Sequence, residues 1–276
     1  MAQQVLAIDR LAPFSGTSYA GVMSFEHSMP RTAIVTGGAK RIGAALVRAL
    51  AQDGWTLLIH CHESVDEADV LARDIGGNAR VVAADLASDA PEGPFREALG
   101  SMPPVGLLVN NASRFVHDDF DDWTIEGWQQ HFDANLRGPA LLTRMFADLA
   151  PPEGGLIVNM LDAKLAKPNP DFFTYTLSKM GFAGLTELSA RRLAGQSIRV
   201  CGIAPSVTLV SGPQSRENFE SVHALNALGR GVEVNEIVAA LRFIIATPTL
   251  TGQTITLDGG QRFLGLPRDV QFLGEA

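Results

Sequence analysis

Seven short apolar runs separated by helical patterns constrain this chain more than any other feature. The runs are Ala33–Thr36, Thr56–His60, Arg80–Ala84, Gly106–Asn110, Leu156–Met160, Ile198–Ala204 and Thr254–Leu257. Most are continuously apolar rather than alternating, as a strand reads when both faces of its sheet are covered. Between them, apolar residues recur at helical spacing: Ile42, Leu46 and Leu50; Leu136, Ala140, Leu141 and Met145; Phe182, Leu185, Leu188 and Leu193. Strand, helix and strand repeated in this way predict one doubly wound (Rossmann) α/β domain, a parallel sheet of about seven strands with helices on both faces.

Composition agrees and excludes other classes. At 46% hydrophobic and 19% charged, the chain is neither disordered nor a coiled coil. Its 276 residues can bury about three-quarters of the extended chain's surface, so no staple is needed. A net charge of −8 argues against a nucleic-acid partner, which requires a basic face. No run of 18 or more apolar residues occurs, so no membrane span is expected. Cys61 and Cys201 read as buried small apolar residues, not as a disulfide framework or metal site. Residues 1–30 lack clear periodicity and make a poor secretory signal. They read as an N-terminal extension, or 1–28 as a misassigned start before Met29, with the folded domain over 31–276 and a cytoplasmic location.

The first run ends in Thr36-Gly37-Gly38-Ala39-Lys40-Arg41-Ile42-Gly43 and passes directly into the first helix. Glycines at such a turn let the backbone approach a pyrophosphate, and the helix N-terminus favours its charge. Arg41 stands where many such loops carry glycine, and with Lys40 it adds positive charge beside the phosphates. The second run ends in His60-Cys61-His62-Glu63-Ser64. An acid there would hold a ribose 2′-hydroxyl. None stands at His60 or Cys61, while His62 and Ser64 can donate to a 2′-phosphate, so NADPH is expected rather than NADH, with Glu63 opposing. Asp85, before Leu86, either holds the adenine amino group or caps the next turn.

The chain has two tyrosines, Tyr19 and Tyr175. Lys179 follows Tyr175 by one helical turn, so hydroxyl and ammonium share a face. The ammonium is expected to move the phenol away from its free pKa of about 10 towards a useful range. His27, His117, His131 and His223 lack metal-ligand spacing, and Asp118, Asp119, Asp121 and Asp122 read as a solvated acidic loop. No metal is expected.

The ordered set Thr36-Gly37…Gly43, Asn110-Asn111-Ala112, Asn135, Tyr175…Lys179 and Asp258-Gly259-Gly260 resembles a short-chain dehydrogenase/reductase over about 31–265. The resemblance implies that Asn110, Asn111 and Ala112 buttress the sheet beside the cofactor. It also implies that Asn135 helps to hold a water leading to Lys179, and that Lys179 holds the nicotinamide ribose. Pro205 would open the segment that contacts nicotinamide and covers substrate, at about 206–227. The family's usual serine lies thirteen residues before the tyrosine; here that residue is Asp162. Aspartate in this slot resembles the pteridine reductases and dihydromonapterin reductases, as do Arg41 and Asn110-Asn111-Ala112-Ser113-Arg114-Phe115. In those relatives the residue at Phe115 stacks the pterin against nicotinamide.

The implied activity is reduction of a pterin-like C=N bond, with Tyr175 as proton donor and Asp162 and Lys179 beside it. The enzyme would act on a small molecule, commonly as a homotetramer. A carbonyl reductase for a ketone or 3-oxoacyl thioester is the alternative enzyme, and a non-catalytic dinucleotide sensor the alternative of another class. Because the first strand begins only after Met29, deletion of residues 1–28 is expected to leave the thermal midpoint and NADPH affinity of the purified protein unchanged.

Overall fold

The seven strands alternate their inward residues between two apolar layers. In the computed structural model, which describes residues 29–211 and 214–273, the strands are β1 (Thr32–Val35), β2 (Thr56–Cys61), β3 (Ala79–Ala83), β4 (Val105–Asn110), β5 (Gly155–Met160), β6 (Ile198–Pro205) and β7 (Thr254–Leu257). They form one parallel sheet in the order β3-β2-β1-β4-β5-β6-β7. Each observed strand lies within one residue of its expected ends. The expected extension lies outside the described residues up to position 28.

Ala33, Val35, Leu57, Ile59, Val109 and Val158 face one layer, with Leu46 and Leu50 of α1 (Arg41–Gln52), Leu71 of α2 (Val65–Ile75) and Ile237 and Leu241 of α8 (Val234–Ala246). Ile34, Leu58, Leu108, Ile157 and Val200 face the other. There they meet Phe95 of α3 (Glu92–Leu99), Leu142 and Phe146 of α5 (Gly138–Leu149), and Leu193 of α6 (Phe173–Leu193). Two buried faces explain why the strands read as continuous apolar runs. Each fully buried large side chain, such as Phe146, contributes about 1.5–3 kcal/mol. Cys61 and Cys201 are free and buried.

The expected helical stripe from Leu136 to Met145 is broken at its start. A π-helical turn, Asp133–Arg137, joins α4 (Ile125–Phe132) to α5. Pro139 has no N–H to give the Asn135 carbonyl, the partner an unbroken α-helix would require. The wide turn buries Asn135 completely. The remaining helix, α7 (Arg216–His223), lies in the segment expected to cover the site. Among the described residues, no helix is long and apolar enough to cross a membrane.

Crossover connections bring the glycine loop and the loops after β2, β4, β5 and β6 to one edge of the sheet, outside the strands' carboxyl ends. Ligands of open α/β sheets bind in that crevice.

Candidate active site

Thr36 joins the two central loops. Its hydroxyl accepts the backbone N–H groups of Asn111 and Ala112, both at 2.9 Å. Asn111 Nδ2 donates in return to the carbonyls of Thr36 (2.8 Å) and Gly37 (3.1 Å). Gly37 is left-handed (φ +60°). A Cβ on Gly43 would lie 2.0 Å from the Gly37 carbonyl oxygen, so only glycine lets helix α1 come this close. Asn110 Nδ2 donates to Asn159 (2.9 Å), and Asn159 to Thr186 (2.9 Å), which ties β4 and β5 to α6.

A cleft of about 600 Å³ runs from His62, Glu63 and Ser64 along Gly37, Lys40, Arg41, Ile42 and Gly43. It continues past Asn111, Ala112 and Ser113 to Phe115, Asp162, Tyr175, Lys179 and Pro205. The glycine cradle and the length of this groove fit a dinucleotide. Ser64 caps α2 without a side-chain hydrogen bond, which leaves its hydroxyl uncommitted by the helix end.

Several expected residues take different positions. His60 is 2% exposed and borders the cleft beneath the glycine loop. Its Nδ1 accepts the Gly37 N–H (3.1 Å), which leaves the ring proton on Nε2, 3.0 Å from the Ala84 carbonyl. With both nitrogens engaged, His60 holds the loop and has no free donor for a phosphate. Burial pushes its pKa down to about 4. Asp85 accepts the Ala87 N–H (2.9 Å) in a turn, the capping role of the two expected. Leu86 packs in the core, and neither residue lines the cleft. Lys40 pairs with Glu67 of α2. Arg41 is left-handed (φ +55°) and crosses the cleft to the Val210 carbonyl (2.7 Å) and the Ser211 hydroxyl (3.5 Å).

Asn135 is saturated. Its Oδ1 accepts from the Arg114 N–H (2.7 Å) and the Ser113 hydroxyl (3.3 Å). Its Nδ2 donates to the Arg114 carbonyl (2.9 Å) and the Ser178 hydroxyl (3.0 Å). The side chain therefore has no free valence for the expected water and instead holds the loop that carries Phe115. Asp118 is also not a solvated loop acid. It is buried and receives the backbone N–H (3.0 Å) and the hydroxyl of Thr174.

At the floor of the cleft the Tyr175 hydroxyl donates to Asp162 Oδ2 at 2.8 Å, while Asp162 Oδ1 accepts the Lys164 N–H (2.8 Å). Lys179 Nζ donates to the Met160 carbonyl (2.8 Å) and lies 5.8 Å from the Tyr175 ring centroid. This geometry reverses the expected effect on the phenol. Burial, then the Asp162 carboxylate, push Tyr175 well above 10, because the carboxylate is in contact and the ammonium is not. Burial raises Asp162 above the usual carboxylate range and lowers Lys179 to about 8. Tyr175 is thus a phenol at neutral pH, able to give a proton.

Phe115 meets Tyr175 at right angles (4.7 Å) and is stacked by Phe172 at 4.3 Å. Phe172 is itself left-handed (φ +54°) and carries Phe272 on its ring (5.9 Å). Its neighbour Asp171 is 3% exposed; its two oxygens share the single Arg268 Nε–H (2.8 and 2.9 Å), and Oδ2 also accepts the Asp269 N–H (2.6 Å). The tail after β7 therefore forms one wall of the cleft. Sequence reasoning missed this wall: Asp171 and Arg268 lie 97 positions apart, and no local spacing links them.

The family model for short chain dehydrogenase matches residues 31–221. The chain belongs to that family, and it is an oxidoreductase of that type. FolM alternative dihydrofolate reductase 1 from Brucella canis, solved with NADP, superposes with a TM-score of 0.81 at 40% identity, over 86% of this chain and 96% of its own. Pteridine reductase 1 of Leishmania tarentolae is 28% identical over 275 residues, covering 83% of this chain and 95% of that protein. The 3-oxoacyl-[acyl-carrier-protein] reductase of Synechocystis sp. is 29% identical over 238 residues, covering 83% and 96%.

The buried His60 predicts an acid-labile site. The unfolded imidazole protonates near 6.5 and the native one only at about 4. As pH falls through that window the unfolded chain takes up the proton and the native chain does not, so stability falls with it. Between pH 7 and pH 5 this one group is expected to contribute about 2 kcal/mol of loss. Urea midpoints at the two pH values, for wild type and for His60→Asn, which keeps an acceptor near Nδ1 but does not titrate, check it: the variant should lose less by that amount.

Proposed function

We propose that this chain uses NADPH to reduce a C=N bond in a dihydropterin or dihydrofolate-like heterocycle. The observation that carries the reading is the 2.8 Å hydrogen bond between Tyr175 and Asp162, in the slot where the family commonly has serine. A carboxylate beside a developing alkoxide would hinder carbonyl reduction. Reduction of C=N instead needs a proton on nitrogen, and an aminopyrimidine ring offers N–H donors that a carboxylate accepts. The similarity to FolM and to pteridine reductase 1 supports the same substrate class.

A nicotinamide cofactor held in this groove would supply the hydride for the ring carbon. Tyr175 gives its hydroxyl proton to the ring nitrogen as the C=N π pair moves onto that nitrogen. Asp162 stays a carboxylate, holding the Tyr175 hydroxyl and accepting ring N–H donors, and the phenolate left on Tyr175 takes a proton back from solvent after transfer. Lys179, one of whose donors is on Met160, turns its remaining donors to the nicotinamide ribose. Phe115 offers the heterocycle an aromatic surface. Gly37 and Gly43 let the backbone and the α1 N-terminus meet the pyrophosphate. The homotetramer rests on the family resemblance, and the exposed Leu188 and Met180 on α6 and Phe243 on α8 offer apolar surface to a second copy.

NADPH is favoured because no acid ends β2 and because His62 and Ser64 line the groove there; the FolM structures hold NADP. The expected preference over NADH is at least about tenfold in kcat/KM, or about 1.4 kcal/mol. Steady-state kinetics with both cofactors check it, and equal use would assign control to Glu63.

The substrate reading is tested on a panel of dihydropterins, dihydrofolate, ketones and a 3-oxoacyl thioester. Tyr175→Phe should lower kcat by about 10²–10⁴ with NADPH binding intact. Asp162→Ser should depress dihydropterin reduction much more than any ketone activity. A wild type that ignores every dihydropterin and dihydrofolate but reduces the ketone or thioester, with Asp162→Ser unchanged, would instead favour carbonyl reduction, the activity named for the Synechocystis relative.

A further inference from the structure

Phe115 is held from both sides by side chains of one stretch of chain. Asn135 binds the backbone of the residue before it, Arg114. His131, one turn earlier on α4, binds the residue after it: the Val116 N–H donates to His131 Nε2 at 3.3 Å. That bond leaves the ring proton on Nδ1, which donates to the Thr174 hydroxyl at 2.7 Å. The Thr174 hydroxyl donates in turn to Asp118, and Thr174 directly precedes Tyr175. His131 and Thr174 are 2% and 0% exposed, so water cannot substitute for either bond.

We propose that neutral His131 is a positioning residue that sets the substrate platform, Phe115, and the proton donor, Tyr175, with one ring. The proposal rests on the reading of those two residues given above. Its chemistry is specific to the tautomer. A protonated ring carries a hydrogen on Nε2 and confronts the Val116 N–H with a second donor, so the clamp opens when the ring is charged. The charged and titratable groups facing the ring are Asp118 (4.0 Å from Nδ1) and Arg114 on the β4–α4 loop, and Tyr175 on α6 (ring centroids 6.2 Å apart). Burial, aided by Arg114, outweighs Asp118 and holds the ring below its ordinary pKa, so it is neutral at pH 7.

Two variants separate the roles. His131→Gln places an amide oxygen near the Nε2 position, keeps the acceptor for Val116 and does not titrate. His131→Leu fills the space with no acceptor. At pH 7.5, His131→Leu should raise the KM for the dihydropterin at least fivefold, with the NADPH Kd from fluorescence titration unchanged. Wild-type KM should rise as the pH is lowered into the acid range, and His131→Gln should keep the neutral KM but lack that rise.

Hydrogen exchange, corrected for intrinsic rates, should show the Val116 amide less protected in His131→Leu and near wild type in His131→Gln. Wild-type KM and Val116 protection in His131→Leu, or an unchanged acid rise in KM for His131→Gln, would overturn the proposal. If His131→Leu does not fold, the pH profile of His131→Gln decides. If wild type turns over only ketones, the substrate reading has failed, and the same KM comparison on the ketone together with the exchange measurement still tests His131.

Discussion

The hydroxyl of Thr36 ties the end of β1 to the end of β4, and both halves of the cleft depend on that tie. On one side it fixes the glycine loop, whose carbonyls are held by Asn111 and whose Gly37 N–H is held by His60. On the other it fixes the first residues of the loop that carries Phe115. A cofactor groove and a substrate pocket built on separate loops could drift apart. Here a single side chain with two accepted hydrogen bonds keeps them in register. Each bond is worth about 1 kcal/mol, but the geometric consequence extends over the whole site.

The same economy recurs in the charged residues. Asp162 is coupled to Tyr175 and Lys179 at once, so the proton affinities of these three are not independent. The carboxylate in contact outweighs the ammonium farther off, and the phenol stays protonated. That bias suits a site that delivers a proton with each hydride and is poorly suited to one that removes a proton from an alcohol.

Much of the fold and part of the site were legible in the sequence. The strands were legible because two-sided burial leaves uninterrupted apolar runs, as in β4 and β5. Tyr175 and Lys179 were legible because they share one helix and one turn. Asp162 was legible because its distance from Tyr175 along the chain is fixed. The rest depends on tertiary approach. Nothing local says that both ring nitrogens of His60 are taken by the backbone of Gly37 and Ala84, or that Asp118 is buried against Thr174. The sign of the Tyr175 shift depended on a 2.8 Å contact against an ammonium aimed at Met160. The Asp171–Arg268 wall joins residues that only the completed sheet brings together.

Two non-glycine residues, Arg41 on this cleft and Phe172 behind Phe115, have left-handed backbones, a conformation that costs about 1–2 kcal/mol for a side chain with a Cβ. Each keeps a long-range contact in exchange: Arg41 reaches the segment after β6, and Phe172 stacks on Phe115. Strain of this kind persists where the surroundings enforce it, and it concentrates at ligand clamps. At these two positions, selection for robustness and selection for turnover pull in opposite directions. A lineage evolving towards heat would find glycine or asparagine there the easiest gain, and would lose with it the bridge across the cleft or the ring that backs Phe115.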